Sequence, residues 1–117
     1  MLLQIFYAND KVEQYFTNYG LMQKKIGKDI TRAVKKRIDS LIAADNMRIY
    51  LSTGLGNPHF LSGDMKEYIS ISLTANYRLI ILPISDSDDI VDLKVCRIIE
   101  VKGVDDYHGG KSNWLIS

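Results

Sequence analysis

The apolar residues of this chain change period once, near residue 51, and that change limits what it can fold into. Before it they recur every three or four positions: Val12, Tyr15, Phe16 and Tyr19, then Ile26, Ile30, Val34, Ile38, Leu41 and Ile42. That is the spacing of helices with one buried face. After it they alternate, with Ile69, Ile71 and Leu73 set against Tyr68, Ser70 and Ser72, and with Val91, Leu93, Val95, Arg97 and Ile99 in a last run. Alternation is the period of strands with one face on a core. An apolar stretch, Leu2 to Tyr7, precedes the helices and reads as a strand inside a sheet. The order is one N-terminal strand, a two-helix antiparallel hairpin, then antiparallel strands. This is an α+β layout, a small sheet with its helices on one face.

Local signals refine the boundaries. Asp10, with Glu13 three residues on, is a helix start, and Gly20 ends that helix. The second helix is expected over residues 22–44, its register continuing through Gly27. Residues 52–58 form a loop by composition. His59 to Ser62 reads as a short strand ended by Gly63-Asp64. Thr74-Ala75-Asn76 turns the chain into Tyr77 to Leu82, a strand buried on both faces apart from Arg78. Pro83 to Asp89 reads as an acidic hairpin loop, and residues 109–117 as a short tail whose Trp114 either docks on the body or serves a partner.

At 117 residues the chain is one domain, spanning 1–108 with the tail at 109–117. Its 46% apolar and 25% charged residues are the ordinary balance of a soluble globular protein. No apolar run reaches the length of a membrane span, and the first residues lack the basic leader of a signal peptide. A single cysteine, Cys96, excludes an internal disulfide, and with only His59 and His108 beside it no structural metal is expected. The expected compartment is the cytoplasm.

Charge is unevenly spread. Residues 1–50 carry nine Lys/Arg against five Asp/Glu, and residues 51–117 carry six against nine. Most of the basic excess lies in Lys24, Lys25, Lys28, Arg32, Lys35, Lys36 and Arg37. Such a stripe is either a solvated helix face or a grip for phosphate backbones.

Few polar residues sit where the pattern wants apolar ones. Arg78 interrupts an apolar strand and needs an anionic partner: Glu100 or Asp106 as a structural pair, or a bound phosphate. His59 opens a strand. Asp105-Asp106-Tyr107-His108 follows the expected last strand and sets carboxylates, an aromatic ring and an imidazole side by side. A sheet that gathers its strand ends brings His59, Arg78 and His108 onto one concave face. Such a group suits phosphodiester cleavage without a metal or other cofactor. A base takes the 2′-hydroxyl proton, a cation stabilises the phosphorane, and an acid protonates the 5′-oxygen.

The stretch His59-Phe60-Leu61-Ser62-Gly63-Asp64-Met65-Lys66, then Leu73 to Ile80, then Asp105 to His108, resembles the RelE/ParE superfamily, and within it the HigB-like toxins of bacterial type II toxin–antitoxin modules. The resemblance implies a RelE-like fold and a toxin that cuts messenger RNA in the ribosomal A site. It further implies a helix-turn-helix antitoxin as partner, with operator DNA reached only through that complex. By position, Arg78 matches the family's phosphate-binding arginine, Asp106, Tyr107 and His108 its C-terminal triplet, and His59 the histidine opening its His-x-Leu-x-Gly-Asp segment. Lys24, Lys25, Lys28, Arg32, Lys35, Lys36 and Lys66 then become RNA contacts. One departure stands out: Ser62 occupies the place of a lysine that these toxins use in catalysis, and Lys66 lies four positions on. The alternatives are a ParE-like toxin that inhibits DNA gyrase without chemistry of its own, and a degenerate member that only binds its antitoxin.

Overall fold

Asparagines start three of the helices. The side chain of Asn9 accepts the Val12 amide at 2.9 Å and opens α1 (Asp10–Phe16). Asn18 accepts the Leu21 amide at 3.1 Å and opens α2 (Tyr19–Ile26). After α3 (Lys28–Ala43), Asn46 accepts the Ile49 amide at 2.9 Å and opens α4 (Met47–Thr53). The expected boundaries therefore shift. The cap is Asn9 rather than Asp10, and Gly20 lies within α2 instead of ending a helix. The single helix over 22–44 is two, because Gly27 takes φ +92°, a conformation that only glycine adopts cheaply and that breaks the helical ladder. The short α4 was hidden in its brevity: seven residues show too little of a period to be read.

The computed structural model describes residues 3–84, 92–94 and 96–117. Their strands are β1 (Gln4–Tyr7), β2 (His59–Phe60), β3 (Ile69–Ser72), β4 (Tyr77–Ile84), β5 (Ile98–His108) and β6 (Lys111–Ile116). The sheet runs β1-β5-β4-β3-β2, with β6 also on β5. β1 pairs parallel to β5 and the other pairings are antiparallel, so the sheet is mixed. β1, expected inside the sheet, is at its edge, with Phe6 exposed. The Thr74–Asn76 turn between β3 and β4 is where the sequence put it. The acidic loop falls largely on residues 85–89, outside the described residues, as do Val91 and Val95. Leu93 sits in a turn, so the last strand begins at Ile98 rather than near 91.

Helices and sheet share one core. Val12, Phe16, Met22, Val34, Ile38, Leu41, Met47 and Tyr50 from the helices meet Ile69, Ile71, Leu79, Ile81, Ile99, Val101, Val104 and Ile116 from the strands. All four α-helices of the described residues thus contribute to the cluster on one face of the sheet, and the α+β layout stands. Ile42, expected in the apolar stripe, is exposed instead. Tyr50 is fully buried, and its hydroxyl donates to the Leu55 carbonyl at 2.8 Å. Burial pushes its phenol up from the usual value, with Arg37 opposing. Among the described residues no helix is long and apolar enough to cross a membrane.

Six of the C-terminal nine residues, Lys111–Ile116, form a strand of the sheet rather than a tail. Ile116 is fully buried opposite Val104, and Lys102 lies over the Trp114 ring with its ammonium 6.0 Å from the centroid. Two irregularities shape this corner, one between Ile80 and Ile81 against β5 and one between Val104 and Asp105 against β6. Gly103 lies between them at φ +151°. A Cβ there would stand 1.9 Å from the Ile116 carbonyl oxygen, so β6 reaches its seat only because residue 103 has no side chain.

Candidate functional site

Side chains alternate across a strand, so residues directly opposite in register share a face. Across β3, β4 and β5 one such row is Ile71, Leu79 and Val104, which faces the helices. The next row is Ser72, Arg78 and Asp105, which faces the other way. Ser70 with Ile80, Tyr107 with Ser112, and His59 opposite Ser70 belong to this second face. There, a cleft of about 370 Å³ is walled by His59, Ser62, Arg78, Asp105, Tyr107 and Ser112, with Phe60, Leu61, Met65 and Ile80 as its apolar lining.

Arg78 is the cation of this cleft. Its Nη1 donates to the Ser70 hydroxyl at a long 3.4 Å, and its Cζ stands 5.5 Å from the centroid of the Tyr107 ring. Its Nε is buried with no hydrogen-bond partner among the described residues. Neither acid expected to pair with it does so: Glu100 lies opposite Leu82, and Asp106 bonds elsewhere. A guanidinium so weakly satisfied inside a protein costs stability unless an anion completes it.

His59 is exposed, and its Nδ1 stands 3.0 Å from the Asn57 carbonyl oxygen. A carbonyl only accepts, so this contact puts a hydrogen on Nδ1 and leaves Nε2 for a ligand. Asp105 is 4% exposed, and its Oδ1 accepts the Asn113 amide at 2.9 Å. Ser62 lies in the wall of the cleft, whereas Lys66 is exposed and is not part of it.

The strand separates the Asp106-Tyr107-His108 triplet. Tyr107 points into the cleft, and Asp106 and His108 fall on the opposite face, where the His108 Nδ1 meets the Asp106 Oδ1 at 3.0 Å. The expected convergence of His59, Arg78 and His108 is corrected to His59 and Arg78 alone. The reason is that residues 105–108 lie within β5 rather than after the last strand, so adjacent residues diverge. Sequence reasoning missed Asp105 and Ser112 as wall residues, and Ser70 as the hydroxyl that Arg78 meets. The parity of Asp105 with Tyr107 was the available signal, and it is usable only once the segment is known to be a strand.

Lys24, Lys25, Lys28, Arg32, Lys35 and Lys36 are all exposed on α2 and α3, while Arg37 is half-buried and donates to the Ser72 carbonyl at 3.2 Å. The stripe is therefore six side chains on the helical layer, separate from the cleft. Among the described residues no three His, Cys, Asp or Glu side chains gather closely enough to hold a metal ion. No family model matches the chain, and no curated protein sequence matches it.

Proposed function

We propose that the chain is the toxin of a type II toxin–antitoxin module, a RelE-like fold nearest the HigB-like toxins, that cuts messenger RNA in the ribosomal A site. The reading is supported by the ordered resemblance from His59 to His108 and by the chemistry of the cleft. One observation carries it: Arg78, a guanidinium with a buried, unpartnered Nε, in a cleft beside an exposed tyrosine and an imidazole. A phosphodiester supplies the acceptors that the arginine lacks, and splayed single-stranded RNA supplies a base to stack on Tyr107. In this reading Arg78 steadies the charge growing on the phosphorane and His59 Nε2 gives a proton to the departing 5′-oxygen. The six exposed cations of α2 and α3 grip ribosomal RNA, and a helix-turn-helix antitoxin silences the toxin in the cytoplasm and links it to operator DNA.

Single-turnover cleavage on programmed ribosomes tests this. Arg78→Ala should cut about 10²–10³-fold more slowly than the wild type, the cost of one lost charge-stabilising group. An unchanged rate removes Arg78 from the chemistry and the reading with it.

The separation of Asp106 and His108 from the cleft, together with Ser62 in place of the family's lysine, favours a second reading, a ParE-like gyrase inhibitor or an antitoxin-binding member with no chemistry. Growth arrest on expression without any new 5′ ends in translated messages would select the gyrase inhibitor; no arrest at all would select the antitoxin-binding member.

A further inference from the structure

Cleavage through a 2′-hydroxyl needs two proton carriers, and the cleft holds fewer candidates than the sequence suggested. His59 is one. His108 lies on the other face of β5. Of the remaining walls, a guanidinium has no lone pair to offer, and the hydroxyls of serine and tyrosine are poor bases. Asp105 is left.

We propose, on the ribonuclease reading above, that Asp105 rather than His108 is the base that takes the 2′-hydroxyl proton. The Asn113 amide fixes its Oδ1 at 2.9 Å. Its Oδ2 has no protein partner among the described residues and is not sealed from solvent. That fixes the carboxylate in orientation and leaves one oxygen for a substrate. Asp105 is also directly opposite Arg78 in register, which puts their Cβ atoms about 5 Å apart on one face. Tyr107 is two residues along the same strand, about 7 Å away. A nucleotide with its base on Tyr107 and its phosphate on Arg78 therefore carries its ribose past Asp105.

The step balances. Asp105 Oδ2 takes the 2′-hydroxyl proton as O2′ bonds to phosphorus; the P–O5′ bond breaks, and protonated His59 gives its Nε2 proton to the 5′-oxygen. The products are a 2′,3′-cyclic phosphate and a 5′-hydroxyl. Solvent returns a proton from Asp105 to His59.

Two messages on programmed ribosomes separate base from acid: one with the normal scissile linkage, one with the 5′-oxygen replaced by sulfur, which departs without a proton. His59→Gln should be slowed about 10²–10⁴-fold on the normal message and restored close to the wild-type rate on the sulfur one. Asp105→Asn, which keeps an oxygen for the Asn113 amide, should be slowed about as much on both. His108→Gln should stay within about threefold of the wild type on both. Wild-type cleavage by Asp105→Asn, or its rescue by sulfur, overturns the proposal. So does a loss on both messages in His108→Gln, which decides the matter even if Asp105→Asn fails to fold. Failure of the wild type on both messages instead overturns the ribonuclease reading.

Discussion

Asp105 and Asp106 are chain neighbours with the same chemistry in two different settings. Asp105 is buried on the open face of the sheet, bonded to the Asn113 amide in the wall of a cleft. Asp106 faces the other way and spends one oxygen on an exposed histidine. The difference comes from strand parity alone, since one step along β5 turns a side chain through half a revolution. A compact motif in the sequence is therefore two motifs in space, one per face, and only the half with Tyr107 meets Arg78.

The largest expected effect breaks or upholds that division directly. Arg78→Met keeps the aliphatic stem and removes the charge. On the proposed ribonuclease reading, single-turnover cleavage should fall about 10²–10³-fold. Asp106→Asn, on the far face, should leave it within about threefold, because an exposed pair of this kind contributes little. The unfolding temperature of Arg78→Met should hold or rise, since the substitution removes a buried nitrogen that has no partner among the described residues. Equal losses of activity in the two variants would mean that the faces act as one site.

A second, smaller effect tests what holds the two faces in place. Gly103→Ala sets a methyl against the Ile116 carbonyl at a backbone angle that L-residues rarely take. β6 must then leave its seat, taking with it the buried Ile116 and the amide that holds Asp105. The cost should be about 3 kcal/mol, read as a fall of about 10–20 °C in the thermal midpoint. A midpoint within a few degrees of the wild type would show that β6 is a loose flap and that the cleft is built without it.

The same corner explains what the sequence hid. The change of period near residue 51 was legible because α3 repeats its apolar positions over sixteen residues and β3 and β4 alternate cleanly around a recognisable turn. Arg78 was legible too, as a charge in an apolar run. β5 was not. Its alternation is interrupted around Lys102 and Gly103 by the register shift, and Asp105, Asp106 and His108 read as loop because polar residues cluster there. β6 reads as a tail because Lys111, Ser112 and Asn113 are polar and follow a Gly-Gly pair. Pairing with a distant partner made both segments strands, and a single chain does not display its partners.

The smallest expected effect compares the cleft with the helical layer. Lys28, Arg32, Lys35 and Lys36 are exposed on α3, clear of Val34, Ile38 and Leu41, which carry its packing. Changing the four to Gln keeps helix-forming side chains and removes only charge, so the thermal midpoint should move by no more than a few degrees. If the stripe grips ribosomal RNA, ribosome affinity should drop by about tenfold at low salt, and the slope of log affinity against log salt should flatten by about 3, each lost phosphate contact giving up 0.7–0.9. On the proposed reading, cleavage by protein already seated on the ribosome should not change, because the cleft lies on the other side of the sheet from the stripe. The two readouts should therefore separate: Arg78→Met should lower the rate of the bound protein, whereas the quadruple change should lower only its affinity. An unaltered salt slope would return the stripe to a solvated helix face, leaving Arg78 in the cleft as the cation proposed to meet phosphate.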